Sequence, residues 1–333
     1  MSLLELQSDR SMDLIGVGRL CIDLNANQLN RSMEDTISFT KYVGGSPANI
    51  TIAAARLGLK TGFIGRVSDD AFGRFIVRYL EKEGIDTSSV ITDKSGSVTG
   101  LAFTEIKSPT ECSILMYRDN VADLKLEPDD VREHYVADAK AVMISGTALA
   151  QSPSREAVLK VLEMARKHGT FVFFDIDYRP YSWASKSEVY TYCRLVAEQS
   201  DVILGGREEL DLIEPHCVEG DVRDDAATAH RWLAHGAKLV VVKHGGDGSV
   251  AFTRSGEVAR AGVFPAKVVK TFGAGDSFAG AFIYGLLRQL PLSECLKLGS
   301  ASASIVVSSH SCSDAMPRLE QIQDVIGRHT NAQ

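Results

Sequence analysis

The segment Lys270-Thr-Phe-Gly-Ala-Gly-Asp276 sets three small residues and a carboxylate at the head of a helical pattern. Behind it, Phe278, Ala281, Phe282, Gly285 and Leu286 recur at spacings of three and four, so a helix starting near Gly275 buries one face. Free N–H groups of Gly273, Ala274 and Gly275, with the positive end of the helix dipole, suit the negative oxygens of a transferring phosphate. Small side chains let such a ligand approach the backbone. Asp276 then stands where a carboxylate can orient and deprotonate an attacking hydroxyl. Taken alone, the segment fits equally a plain helix start whose acid complements the dipole.

A second constellation lies far upstream. Val43-Gly-Gly-Ser-Pro-Ala-Asn49 leads into the small-residue helix 50–57, and Asp23 precedes it after a first strand. Gly44 and Gly45 permit close backbone contact, while Asp23 offers an acceptor and Asn49 an amide, a set suited to the hydroxyls of a polyol. A turn followed by a helix that Asn49 caps is the other reading.

The elements that must carry these groups alternate. β-type runs 14–17 and 62–67 are interleaved with helical patterns 47–57 and 71–83. After residue 140, apolar runs at 141–144, 170–174, 202–204 and 239–242 are separated by helix-like segments. This predicts an α/β fold, a parallel sheet buried on both faces. Two stretches, 24–43 and 97–118, instead alternate polar and apolar residues, as at Leu101, Phe103 and Glu105, and read as antiparallel strands outside the main sheet. They predict a small lid built from two insertions into one domain spanning 12–330, with 1–11 as an N-terminal tail.

Of the 333 residues, 44% are hydrophobic and 24% charged, the balance of an ordinary globular protein, and the net charge of −7 gives no broad basic surface for nucleic acid or anionic lipid. A small-molecule partner is expected. The six cysteines are scattered without a Cys-x-x-Cys pair, which fits reduced thiols rather than a zinc site or a disulfide framework. The N-terminus lacks a signal-peptide pattern, and no apolar run approaches 18 residues, so a cytoplasmic protein is expected.

Together the Gly-Gly-x-x-x-Asn and Gly-Ala-Gly-Asp segments, in this order and separation, resemble those of the ribokinase-like, or PfkB, family of carbohydrate kinases, over about 12–326. The resemblance implies a three-layer α/β/α fold with a mostly parallel central sheet and a small β-sheet lid. It implies ATP with Mg²⁺, Asp276 as catalytic base, Gly273, Ala274 and Gly275 as anion hole, and Asp23, Gly44, Gly45 and Asn49 as sugar ligands. The 65–73 segment matches the family's next segment, read as a rim of the substrate cleft. Lys243, Gly245 and Gly248, in Val242-Lys-His-Gly-Gly-Asp-Gly248, match a nucleotide-side turn. A homodimer pairing through the lid is also implied.

Three departures bear on the substrate. Where the family has Asn-x-x-Glu, this chain reads Gly206-Arg-Glu-Glu209, which leaves Glu209 to act on Mg²⁺ through water. Lys270 stands where many members carry an Asp that helps bind potassium, so its ammonium either supplies that charge or is simply solvated. The run Phe174-Asp-Ile-Asp-Tyr-Arg-Pro resembles the Asp-x-Asn-x-Arg segment of sugar-acid kinases, with Asp177 at the Asn position. Arg179 and Arg118 are therefore candidates for a substrate carboxylate, or partners of protein acids. The combination points to phosphorylation of the terminal hydroxyl of a keto-deoxy sugar acid from myo-inositol breakdown, with a 2-keto-3-deoxygluconate kinase or a fructokinase as alternatives. A non-catalytic sugar-binding protein is the alternative of a different class.

Other classes fit less well. Gly16-Val-Gly18 is only a partial dinucleotide motif with Cys21 in the third position, the chain has no Gly-Lys dipeptide for a P-loop, and Ser277 misses a nucleophile elbow by one residue.

Overall fold

The computed structural model describes residues 6–7, 9–108, 111–214 and 224–331. Cys217, residues 109–110 of the second expected insertion, and residues 1–5 and 8 of the expected tail lie outside the described residues.

The chain begins with β1 (Met12–Val17), leaves for β2 (Cys21–Ala26) and β3 (Phe39–Gly44), and returns through α1 (Ser46–Arg56) to β4 (Thr61–Ser68), α2 (Ala71–Lys82) and β5 (Asp86–Asp93). A second excursion forms β6 (Leu101–Ile106) and β7 (Cys112–Tyr117) before α3 (Glu133–Ala137). There follow β8 (Ala139–Ser145), α4 (Ser154–His168), β9 (Phe171–Asp175), α5 (Lys186–Ala197), β10 (Val202–Gly206), α6 (Arg207–Ile213), α7 (Asp225–His235) and β11 (Leu239–Lys243). The hairpin β12 (Ser249–Thr253) and β13 (Val258–Ala261) and the helices α8 (Ala274–Leu287), α9 (Leu292–Val307) and α10 (Leu319–Asn331) complete it.

Nine strands make the large sheet in the order β13-β12-β11-β10-β9-β8-β1-β4-β5. All neighbours are parallel except the β11–β12 and β12–β13 pairs. Successive residues of each strand feed opposite cores. Val142, Ile144, Val172, Phe174 and Val240 pack with α4, α5 and α7. Ala141, Met143, Phe171, Phe173 and Val241 pack with α1, α8 and α9. The apolar runs are continuous because both faces are covered, giving the expected three layers. Polar β5 and short β13 escaped the sequence reading because they form the sheet's two edges, where fewer positions are buried, and β12, though buried throughout, is only five residues long.

The small sheet has the order β3-β2-β6-β7 and takes its strands from the two irregular stretches, with β2 starting at Cys21 rather than residue 24. It is not wholly antiparallel: its central pair, β2 and β6, is parallel. The two insertions enter from the same end of the large sheet, so their first strands run the same way. No helix among the described residues is long and apolar enough to cross a membrane. Cys21, Cys112, Cys193, Cys295 and Cys312 are free thiols.

Candidate active site

Strand order reverses at β1 and β8: the chain runs outward from β1 to β4 and β5, then resumes on the other side. In open α/β sheets, a crevice beyond the strands' carboxyl ends at such a point is where ligands bind. Arg19 and Asp23 follow β1, Ser145 ends β8, Asp175 ends β9, and Lys243 ends β11.

Two helix starts meet here. Gly280 lets α8 approach α1 so closely that a Cβ on it would lie 2.5 Å from Ala53 Cβ and 2.9 Å from the Ile50 carbonyl oxygen. Ser46 Oγ and Asn49 Nδ2, in the first turns of α1, thereby donate to the two carboxylate oxygens of Asp276, each at 2.8 Å. Asp276 is buried, and burial, reinforced by the nearby negative charge of Asp177, raises its pKa against the opposing Asn49, Arg179 and Ser46. A carboxylate so placed is aimed and more basic than usual. Asn49 Oδ1 is a buried acceptor with no partner.

The turn before Asp276 differs by one residue from expectation. Gly273 is the N-cap, left-handed at φ 80°, and α8 begins at Ala274 rather than near Gly275. Ala274 N–H makes a long 3.4 Å bond to the Thr271 carbonyl. The amides of Gly275 and Asp276 belong to the first turn, which no carbonyl within the helix can serve. Lys270 is fully buried beneath this turn, so the solvated-lysine reading is excluded: its Nζ donates to the Phe272 carbonyl at 2.7 Å and contacts Cys312 Sγ at 3.3 Å. Burial pushes the Cys312 thiol up to about 11. Ser277 is buried against Ser302 Oγ at 2.6 Å, a packing contact and no nucleophile.

On the other wall, the inner face of the small sheet presents Asp23. A Cβ at Gly44 would lie 2.0 Å from Asp23 Oδ1, and one at Gly45, where φ is 107°, would lie 2.3 Å from the Arg19 carbonyl oxygen. Gly44 is thus needed to seat Asp23, and Gly45 to seat the Arg19 backbone. Among the described residues the Asp23 carboxylate accepts only a long 3.9 Å contact from Cys21 Sγ, and burial raises its pKa to about 6 against the pull of Arg19 and Lys270. It remains open to a ligand hydroxyl.

The β9 end folds sharply, with Asp177 at φ 39°. Asp177 accepts from Ser145 Oγ at 3.1 Å and pairs with Arg179 at 2.6 Å. Asp175 pairs with Lys243 Nζ at 3.0 Å; burial lifts the Asp175 pKa, and the Lys243 charge opposes it. Lys243 Nζ lies 3.7 Å from where a Cβ on Gly275 would stand, beside the phosphate-type turn. Glu209 accepts from Tyr178 N–H at 2.8 Å and Gly206 N–H at 2.7 Å. Both of its oxygens therefore carry a backbone donor while keeping a second lone pair for a water.

Gly245 and Gly248 join Lys243, Ala274 and Gly275 in lining a cavity of about 560 Å³ walled by Val263, Phe264, Phe278 and Ala303. That size and apolar lining fit a small-molecule site with an anion-binding turn at one end. Arg118, by contrast, is held in a buried pair with Asp123 at 2.6 Å and is not free in the cleft. Glu208 is a first-turn acid of α6.

Sequence reasoning missed Ser46, Asp175 and Arg19. Ser46 was readable as the residue after Gly45; its partner, 230 positions away, was not. Asp70 of the 65–73 segment caps α2, accepting from Phe72 and Gly73 N–H, and is tied to Thr99. Gly16 serves packing, since a Cβ there would meet Thr51 Oγ1 at 2.0 Å, so no dinucleotide turn is present at that position.

Comparison with known proteins converges on one family. A model of the pfkB family carbohydrate kinases matches residues 12–319. The chain is 63% identical over 331 residues, covering 99% of it and 98% of the relative, to the 5-dehydro-2-deoxygluconokinase of Geobacillus kaustophilus. It is 64% identical over 326 residues, covering 98% and 96%, to that of Geobacillus thermodenitrificans. Among solved structures, a PfkB protein from Polaromonas sp. JS666 superposes with a TM-score of 0.80 at 27% identity, covering 94% of this chain and 99% of that one. A sugar kinase from Pyrococcus horikoshii in complex with ATP superposes at 0.79 and 26%, covering 94% and 99%.

Proposed function

The chain belongs to the pfkB family of carbohydrate kinases, and from that premise we propose that it transfers the γ-phosphate of ATP to the terminal 6-hydroxyl of 5-dehydro-2-deoxygluconate. The observation that carries the chemistry is Asp276, buried, raised in pKa and gripped by Ser46 and Asn49 beside the first-turn amides of α8. The substrate follows from the near-full-length identity to the two Geobacillus kinases. A carbohydrate kinase is supported by the family itself, and the intact base argues against a non-catalytic sugar binder.

ATP occupies the cavity beside Gly245 and Gly248, with its phosphates directed to Lys243 and the Gly273–Gly275 turn. The sugar lies under the small sheet, its hydroxyls on Asp23 and on the unpartnered Asn49 Oδ1, with Gly44 and Gly45 against it. Asp276 takes the proton of the hydroxyl as its oxygen attacks phosphorus in line with the leaving oxygen of ADP, and the amides of Gly275 and its neighbours hold the developing charge. Mg²⁺ accompanies the nucleotide. Among the described residues no group of three or more His, Cys, Asp or Glu could cage a metal, and Glu209 has lone pairs only for metal-bound water. When bound, the ion neutralises phosphate charge. The small sheet closes as a lid over the sugar and excludes water that would otherwise hydrolyse ATP. Arg179 is a candidate for the carboxylate, whereas Arg118 is spent on Asp123.

Lys270 places an ammonium on the Phe272 carbonyl under the anion turn, where many relatives use potassium, so turnover is independent of that ion. The outer face of the lid carries an aromatic row, Phe39, Phe103 and Tyr117, with Leu115 and Tyr117 about half exposed, and this face and its β3 and β7 edges pair with a second copy in a cytoplasmic homodimer. A coupled ADP-release screen across 5-dehydro-2-deoxygluconate, 2-keto-3-deoxygluconate, fructose, ribose and adenosine tests the reading. The highest kcat/KM is expected with the first, and the same rate in sodium as in potassium buffer. A higher value with any other acceptor would displace the substrate assignment.

A further inference from the structure

Arg19 sits in the turn between β1 and β2, 8% exposed. Its guanidinium makes a long hydrogen bond, Nη1 to Tyr181 Oη at 3.4 Å, and its buried Nε has no partner among the described residues. More exposed arginines of the chain are matched by acids: Arg56 by Glu83, Arg118 by Asp123, Arg179 by Asp177. No carboxylate oxygen of the described residues lies within ion-pair reach of Arg19. A buried guanidinium left with most of its donors unused is costly to keep unless a ligand completes it.

Its surroundings are those of the sugar side. The Arg19 backbone packs on Gly45, with its carbonyl oxygen 2.3 Å from where a Cβ would stand, and its charge is felt by Asp23 and Arg179. In a keto-deoxy gluconate the carboxylate and the phosphorylated hydroxyl are at opposite ends of a six-carbon chain. With the hydroxyl at Asp276 and the middle of the chain on Asp23 and Asn49, the carboxylate must fall at the far end of the cleft. A planar guanidinium fork matches a carboxylate, and Arg19 offers one with the Tyr181 hydroxyl beside it. Arg179 already gives one edge to Asp177, so Arg19 has the larger unused capacity.

We propose that Arg19 is the specificity-determining residue that binds the substrate carboxylate, an inference that rests on the sugar-acid reading above. The test compares kcat/KM for 5-dehydro-2-deoxygluconate and for its C1 amide in the wild type, Arg19→Ala and Arg19→Gln. The wild type prefers the acid. Arg19→Ala lowers that preference about 10- to 100-fold, the loss expected of a truncated charged hydrogen bond, mainly through KM, and added guanidinium ion restores part of it. An acid-to-amide ratio unchanged by the substitution, with both substrates falling together, means that Arg19 only balances the charges of Asp23 and Asp177 and overturns the proposal. Arg19→Gln keeps the volume and gives the same reading if the alanine variant does not fold. A wild type indifferent to the amide also overturns it. If the wild type phosphorylates neither compound but does phosphorylate a neutral sugar, the substrate reading itself has failed, an outcome distinct from an unchanged ratio.

Discussion

Asp276 owes its chemistry to where its neighbours come from. Burial and the Asp177 charge raise its pKa, while Ser46 and Asn49 fix its direction. Asp276→Asn keeps these contacts in shape but cannot accept a proton, so kcat drops by at least about 100-fold with ATP binding retained, checked by single-turnover assay and nucleotide titration. As the proposed base, Asp276 must be ionised to act, so kcat/KM is expected to fall on the acid side through its pKa. Asp177→Asn removes a negative charge that favours the protonated form and frees Arg179 to favour the ionised one. The acid limb of the kcat/KM profile therefore moves to lower pH; a limb that stays put or rises would contradict this. Asn tolerates the left-handed backbone at this position, so the exchange is mild. Glycine pairs and an acid before a helix made Asp276 and Asp23 readable as residue types. Arg19 and Asp175 were not, because nothing local announces their burial or partners, and Ser46 was readable only as the residue after Gly45, not as the partner of Asp276.

The α1–α8 pair is the element that assembles the site. Gly280 sets their separation, and both helix starts point into the cleft because the helices touch there. Gly280→Ala gains helix propensity of up to about 1 kcal/mol, yet its Cβ would collide with Ala53 and the Ile50 carbonyl, so the helices move apart. The expected outcome is a kcat lower by about 10- to 100-fold with a small change in melting temperature, since displacements near 1 Å suffice for such a loss. Equal losses of stability and none of kcat would show that the helix spacing does not govern catalysis. The 3.6-residue period announced α8, but not its partner. The parallel strands were legible as apolar runs because helices cover both faces, whereas β5 and the small sheet's parallel centre depend on which segments the fold brings side by side.

At the scale of the whole molecule, the cleft lies between a rigid three-layer body and a small sheet whose outer face is apolar. Leu115 and Tyr117 expose about half of their surface there beside Phe103. The proposed dimer through this face predicts that wild type sediments as a dimer and that Tyr117→Asp, which places a charge there, sediments as a monomer with its fold intact by circular dichroism; a monomeric wild type or an unchanged dimer would contradict it. By itself the sequence determined the α/β layering and pointed to the proposed anion turn, base and sugar-side glycines. These depend on periodicity and on residue types a few positions apart, which the chain carries locally. Only the tertiary structure decided which acids are paired, that Lys270 is buried under the anion turn, that Arg118 is engaged, and that Arg19 is left unmatched. Pairing and burial depend on distances between segments far apart in the chain, and folding alone sets those.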